Sequence, residues 1–120
     1  MPAGNIYLTK YKGRFIMYIA IRRYKIDPDM IDDVTAHARN IVLPHLVAIP
    51  GFKAYYNFHT GDGMVVAVSV YADKSGVDES NRIAEEIVRD QMSDLMPEPP
   101  EVLEGDVLIS EVVESLVTPG

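Results

Sequence analysis

From Phe15 to Tyr24 the chain is β-branched and aromatic at both parities and too short for a membrane span, which predicts a strand buried on both faces. Asp27-Pro28-Asp29 then opens a helix, with a capping carboxylate, a proline where its missing N–H costs nothing, and acids near the positive end of the dipole. Met30, Val34, His37 or Ala38, and Ile41 recur at three- and four-residue steps, so they share one helical stripe. Pro44 is expected to limit that helix, with at most one kinked turn more through Leu46. After the Pro50-Gly51 turn, Phe52, Ala54, Tyr56 and Phe58 alternate with Lys53, Tyr55, Asn57 and His59, the period of a strand. Gly61-Asp62-Gly63 supplies a hairpin turn, and Met64 to Tyr71 is the returning strand.

A second amphipathic helix carries Val77, Ala84, Ile87, Val88, Gln91 and Leu95 on its stripe, starts at a capping box of Ser75 and Asp78, and stops at Met96-Pro97-Glu98-Pro99-Pro100. Val107 to Val113 reads as a fourth strand. The expected organisation is an N-terminal arm over 1–14, one domain over 15–114 and a tail over 115–120. The element order βαββαβ is the ferredoxin-like α+β arrangement, two helices on one face of a four-stranded antiparallel sheet. Its strands are apolar at both parities: Ile16, Tyr18 and Ala20 against Met17, Ile19 and Ile21, and Val65 and Ala67 against Val66 and Val68. A sheet with one wet face alternates instead, so the second face is expected to be buried against a copy of itself, making a homodimer; the alternative is that a partner protein, or the N-terminal arm folded over, covers it.

Composition narrows the partners. The 120 residues suit one domain, and 48% hydrophobic content supports a core. A net charge of −7 argues against nucleic acid. Absence of cysteine removes disulfides and thiolate chemistry, and Met1 to Asn5 has no secretion-signal character. A soluble, cytoplasmic protein is expected, with no membrane partner.

Met17 to Tyr24, the Ile49-Pro50-Gly51-Phe52 turn, the Val68-Ser69-Val70-Tyr71 strand, and Glu79-Ser80-Asn81-Arg82 leading a helix that ends in Pro97-Glu98-Pro99-Pro100 resemble the dimeric α+β barrel superfamily. Within it the chain is similar to small antibiotic biosynthesis monooxygenase-like proteins, over about Met17 to Val113. The superfamily spans cofactor-free oxygenases, haem-degrading enzymes, lactone isomerases and ligand-sensing domains, so the resemblance implies a fold more than an activity. Haem-degrading members use an Asn, Trp and His set, and this chain has no Trp. Oxygenases of the family hold a phenolic substrate with aromatic and amide side chains, a role that Tyr55 and Asn57 match.

The candidate catalytic residues are His37 and His59, because a neutral imidazole can take a phenol or enol proton near pH 7. His59 shares a strand row with Tyr55 and Asn57 at intervals of about 7 Å. Arg22 and Arg23 point to opposite faces, and Arg22 joins Tyr55 and Asn57 as a candidate substrate-binding residue for an enolate or carboxylate. The duller alternatives are a hydrogen-bonded core-edge His37, a Tyr55, Asn57 and His59 row satisfied at the dimer rim, and an arginine paired with an acid such as Glu111. His37 and His45 lie two turns apart without a carboxylate at zincin spacing, so no metal and no cofactor are expected. The expected function is binding of a small apolar or aromatic molecule, with cofactor-independent monooxygenation of a phenolic or enolisable substrate as the activity. The alternative is a non-catalytic ligand-binding or accessory protein with the same pocket.

Overall fold

The computed structural model describes residues 17–113, and the expected arm, the tail and the first residues of the first strand lie outside them. Strand β1 (Tyr18–Lys25) is followed by a 3-10 turn (Pro28–Met30), helix α1 (Ile31–His37), a π-turn (Ala38–Val42) and helix α2 (Leu43–Val47). Strands β2 (Phe52–His59) and β3 (Met64–Tyr71), helix α3 (Lys74–Gln91) and strand β4 (Glu101–Asp106) complete the order. The sheet runs β2-β3-β1-β4 with every neighbouring pair antiparallel, the ferredoxin-like α+β topology. Among the described residues no helix is long and apolar enough to cross a membrane.

Local chemistry accounts for most boundaries. Asp27 Oδ1 accepts the Asp29 N–H at 2.9 Å, with Pro28 in the first turn. Gly61 and Gly63 take φ of 96° and 95°, which closes the β2–β3 hairpin at no steric cost. Pro44 does not end the helix. The turn before it widens, the Leu43 N–H reaching back to the Ala38 carbonyl, and the chain continues helical through Val47. A widened turn relieves the clash a proline ring makes with the preceding turn.

Three expected boundaries move. The cap of α3 is Asp73, not Ser75: the Asp73 side chain accepts the Gly76 N–H at 3.3 Å and the Ser75 hydroxyl at 2.6 Å. Helix α3 ends at Gln91, before the proline segment, because Met92 leaves helical geometry and Leu95 and Met96 donate back to its carbonyl in a tight turn. The fourth strand is Glu101–Asp106, not Val107–Val113. Its partner decides this: β1 offers Tyr18 to Arg23 for pairing, and just beyond Asp106 the Val107 N–H donates to the Met17 carbonyl at 2.9 Å.

The core lies between helices and sheet. Ala20 and Tyr24 of β1 and Val65 and Tyr71 of β3 are buried against Val34, Val42, Leu46, Val77 and Ile87. Each buried Val, Leu or Ile among them is worth about 1.5–3 kcal/mol of transfer free energy. Tyr71 is the centrepiece: it has no exposed surface, its hydroxyl donates to the Leu46 carbonyl at 2.7 Å, and Phe52 meets its ring edge-on at 5.7 Å. Gly76 of α3 passes directly over that ring.

The register sends Ile19, Ile21, Val68, Val70, Tyr56, Phe58 and Leu103 to the opposite face. Tyr56 is 64% exposed, Phe58 51% and Leu103 48%. The double-parity apolar pattern thus has its counterpart in an apolar sheet face that no helix of the described residues covers.

Candidate functional site

Strand parity carries Arg22 and Tyr24 of β1 and Tyr55 and Asn57 of β2 to the helical side of the sheet, since they flank Ala67 and Val65 or Ser69 in register. The four side chains line one small chamber of about 20 Å³, closed by Val34, Val42, Ala84 and Met92. That is room for one water. On one side of the chamber, Arg22 and Tyr24 also line a cavity of about 470 Å³ beneath the second half of α3 and the Pro97–Pro100 segment, with Asn81, Val88 and Met96 in its wall. On the other side, Tyr55 and Asn57 line an outer groove of about 280 Å³ along α1, the π-turn and the β2 edge. Arg22, Tyr55 and Asn57, expected from sequence as binding residues, therefore converge on one chamber between two larger spaces.

The histidines are placed differently. His59 lines the outer groove, where its Nε2 accepts the Gly63 N–H at 3.3 Å and fastens the hairpin. Acceptance at Nε2 puts the ring proton on Nδ1. His37 lies on the α1 surface with Nδ1 at 2.8 Å from the Asp33 carbonyl, and it lines neither chamber, cavity nor groove. Asn57 donates to the Tyr55 hydroxyl at 3.1 Å, so that row is self-satisfied in part. Among the described residues no group of three or more His, Asp or Glu side chains is placed to hold a metal ion.

Arg22 dominates the electrostatics. It is only 3% exposed, its Nη1 donates to Asn81 Oδ1 at 2.9 Å, and its Nε is buried without a hydrogen-bond partner. Arg23, one residue on, faces away and pairs with Glu101. The ion pairs of the described residues involve Arg23, Lys74, Arg82 and Arg89, and none involves Arg22. Two functional candidates, Tyr24 and Asn81, escaped the sequence reading. Tyr24 sits two residues from Arg22 on the same strand face, and Asn81 is a polar interruption in the α3 stripe between Val77 and Ala84.

Burial pushes the hydroxyls of Tyr24 and Tyr71 above the ordinary tyrosine value, against the opposing charge of Arg22. The native state holds these protons where the unfolded chain releases them. Their contribution to stability is therefore complete below about pH 10 and falls as pH rises beyond it. Urea unfolding midpoints between pH 8 and pH 11 are expected to show this alkaline loss, with a shallower fall for Tyr24→Phe; an identical slope in that variant would sink the assignment.

No family model matches the chain, and no curated protein matches it by sequence. Solved structures do. A protein of unknown function from Nitrosomonas europaea superposes with TM-score 0.65 at 19% identity, covering 86% of this chain and 100% of its own. A monooxygenase from the ActVA-Orf6 gene of Streptomyces coelicolor, solved with the ligand nanaomycin D, gives 0.65 at 17% identity over 87% and 97% of the two chains. An antibiotic biosynthesis monooxygenase-like protein from Caulobacter crescentus CB15 gives 0.63 at 14% identity over 78% and 91%. At these identities the likeness is one of backbone, and it establishes that this chain has the ferredoxin-like α+β fold of the antibiotic biosynthesis monooxygenase-like proteins.

Proposed function

We propose that the chain binds a small, largely apolar molecule in the space between helices and sheet. The observation that carries this reading is the cavity of about 470 Å³ whose wall combines Val88 and Met96 with Arg22, Tyr24 and Asn81. A mostly apolar concavity with a few convergent polar groups is what a small-molecule site requires. The finer reading is cofactor-independent monooxygenation of a phenolic or enolisable substrate. Proton removal gives an electron-rich carbanion that transfers electrons to dioxygen; one oxygen atom stays on the substrate carbon and the other leaves as water. Arg22 would orient the substrate from the cavity wall, Tyr55 and Asn57 would act across the water-sized chamber beside it, and His59 or His37 would take its proton.

One observation favours the second reading, a non-catalytic binder with the same pocket. His37 does not reach any of the spaces described, and the His59 Nε2 is occupied by the Gly63 N–H. Oxygen uptake with a panel of hydroquinones and hydroxyquinones tests the two together. Uptake lost at least 100-fold in His59→Ala with ligand affinity retained supports the enzyme, since a positioned base is worth about 10²–10⁴ in rate. Saturable binding with no uptake above the uncatalysed rate supports the binder.

The apolar face of Ile21, Val68, Tyr56, Phe58 and Leu103 is read as the seat of a second copy of the chain, face to face. Its continuity across all four strands supports that occupant.

A further inference from the structure

Arg22 is the one buried charge of the described residues that the protein itself leaves uncompensated. Three other elements approach it. Helix α3 brings Asn81, which accepts from Nη1, and Glu85 and Arg89, which are exposed on the cavity rim; Arg89 pairs with Asp90. The segment after α3 brings Glu98, also exposed. Strand β4 brings Glu104, which receives the Asn81 Nδ2 bond at 3.5 Å rather than any bond from Arg22. Within the sheet the neighbours are the phenols of Tyr24, Tyr55 and Tyr71. No carboxylate of the described residues pairs with the guanidinium, although Glu85 and Glu98 stand exposed on the cavity rim. Isolated buried charge is costly, and a structure keeps it where something else supplies the counter-charge.

Resting on the reading of the cavity as a small-molecule site, we propose that Arg22 is the counter-ion for a ligand bound as its monoanion. The ligand is an apolar organic acid whose ionised oxygen, phenolate, enolate or carboxylate, faces the Arg22 guanidinium while its hydrocarbon body lies against Val88, Met96 and the prolines. Asn81 holds the guanidinium through its bond from Nη1, and Tyr24 lines the same cavity wall. Arg22 is a specificity residue: it selects the ionised form over a neutral molecule of the same shape.

Two matched pairs of probes test this, 4-nitrophenol against 4-nitroanisole and benzoate against methyl benzoate, by calorimetry and by the visible band of the nitrophenolate. At least one anion is expected to bind tenfold or more tightly than its neutral partner, and bound 4-nitrophenol to ionise about one pH unit lower than the free dye, the same tenfold factor. Arg22→Met is expected to abolish both effects, and Arg22→Lys, which keeps the charge, to retain the preference for the anion. The wild-type comparison stands whether or not the variants fold, which circular dichroism checks. Neutral probes binding as well as anions would overturn the counter-ion role and leave the cavity reading intact. Failure of all four probes to bind at millimolar concentration would overturn both.

Discussion

Gly76→Val is expected to lower the thermal midpoint by about 15 °C or more, from overpacking and strain of about 3 kcal/mol. A Cβ at Gly76 would stand 2.7 Å from Tyr71 Cδ2 and 2.8 Å from its Cβ and Cγ. Those atoms are the root of a side chain rather than a flexible end. Tyr71 is also pinned by its bond to the Leu46 carbonyl and by the edge of Phe52, so the ring has nowhere to retreat. Helix propensity predicts the opposite sign for the smaller change Gly76→Ala, a gain of about 1 kcal/mol. The alanine variant therefore separates the two effects: a midpoint above wild type would show that α3 does not rest on Tyr71 as described.

The second large effect concerns the uncovered sheet face. If a second copy sits on it, Tyr56→Glu combined with Phe58→Glu places unpaired carboxylates from both protomers in one apolar seam. The expected result is weakening of self-association by more than 100-fold, about 3 kcal/mol, with the fold retained because both side chains are already exposed in the single chain. Sedimentation equilibrium reads it as a change from twice 13.4 kDa to 13.4 kDa. A wild-type protein that sediments as a monomer, or a variant that associates unchanged, would end this reading.

The parts of the fold that were legible are those in which local pattern and tertiary context agree. The alternation of Phe52 to His59, the glycines of the hairpin and the Asp27-Pro28 helix start each appear where their chemistry demands. The fourth strand was misplaced because Val107 to Val113 has the composition of a buried strand while Glu101 to Asp106 has that of a charged edge. Pairing length along β1 decided the matter, and that is a property of the sheet rather than of either segment. The turn past Pro44 was allowed for through Leu46, but the wide turn that permits it was not legible, since it leaves no compositional mark. Of the site, strand parity placed Tyr55, Asn57 and His59 on one row; which face that row occupies, and that Arg22 shares it, came from the register of β1 and β2 on β3. That neither histidine lines the chamber was not legible, because it depends on the phase of α1 and on the bond from Gly63 that holds His59 in the outer groove.

The wide turn over Ala38–Val42 also bears on how this helix tolerates changes of length. Val34 and Leu46 are both buried, yet twelve regular steps would leave their bearings about 120° apart, whereas eleven would bring them within about 20°. One residue in the turn is thus surplus to the phase of the core. Deleting exposed Asn40 would let an ordinary ladder close while Val34 and Leu46 kept their directions, and what changed would be the outline of the groove beside Arg39 and Leu43. Insertion and deletion at this one place can reshape the outer groove without disturbing the interior, so binding surface and stability are free to diverge independently there.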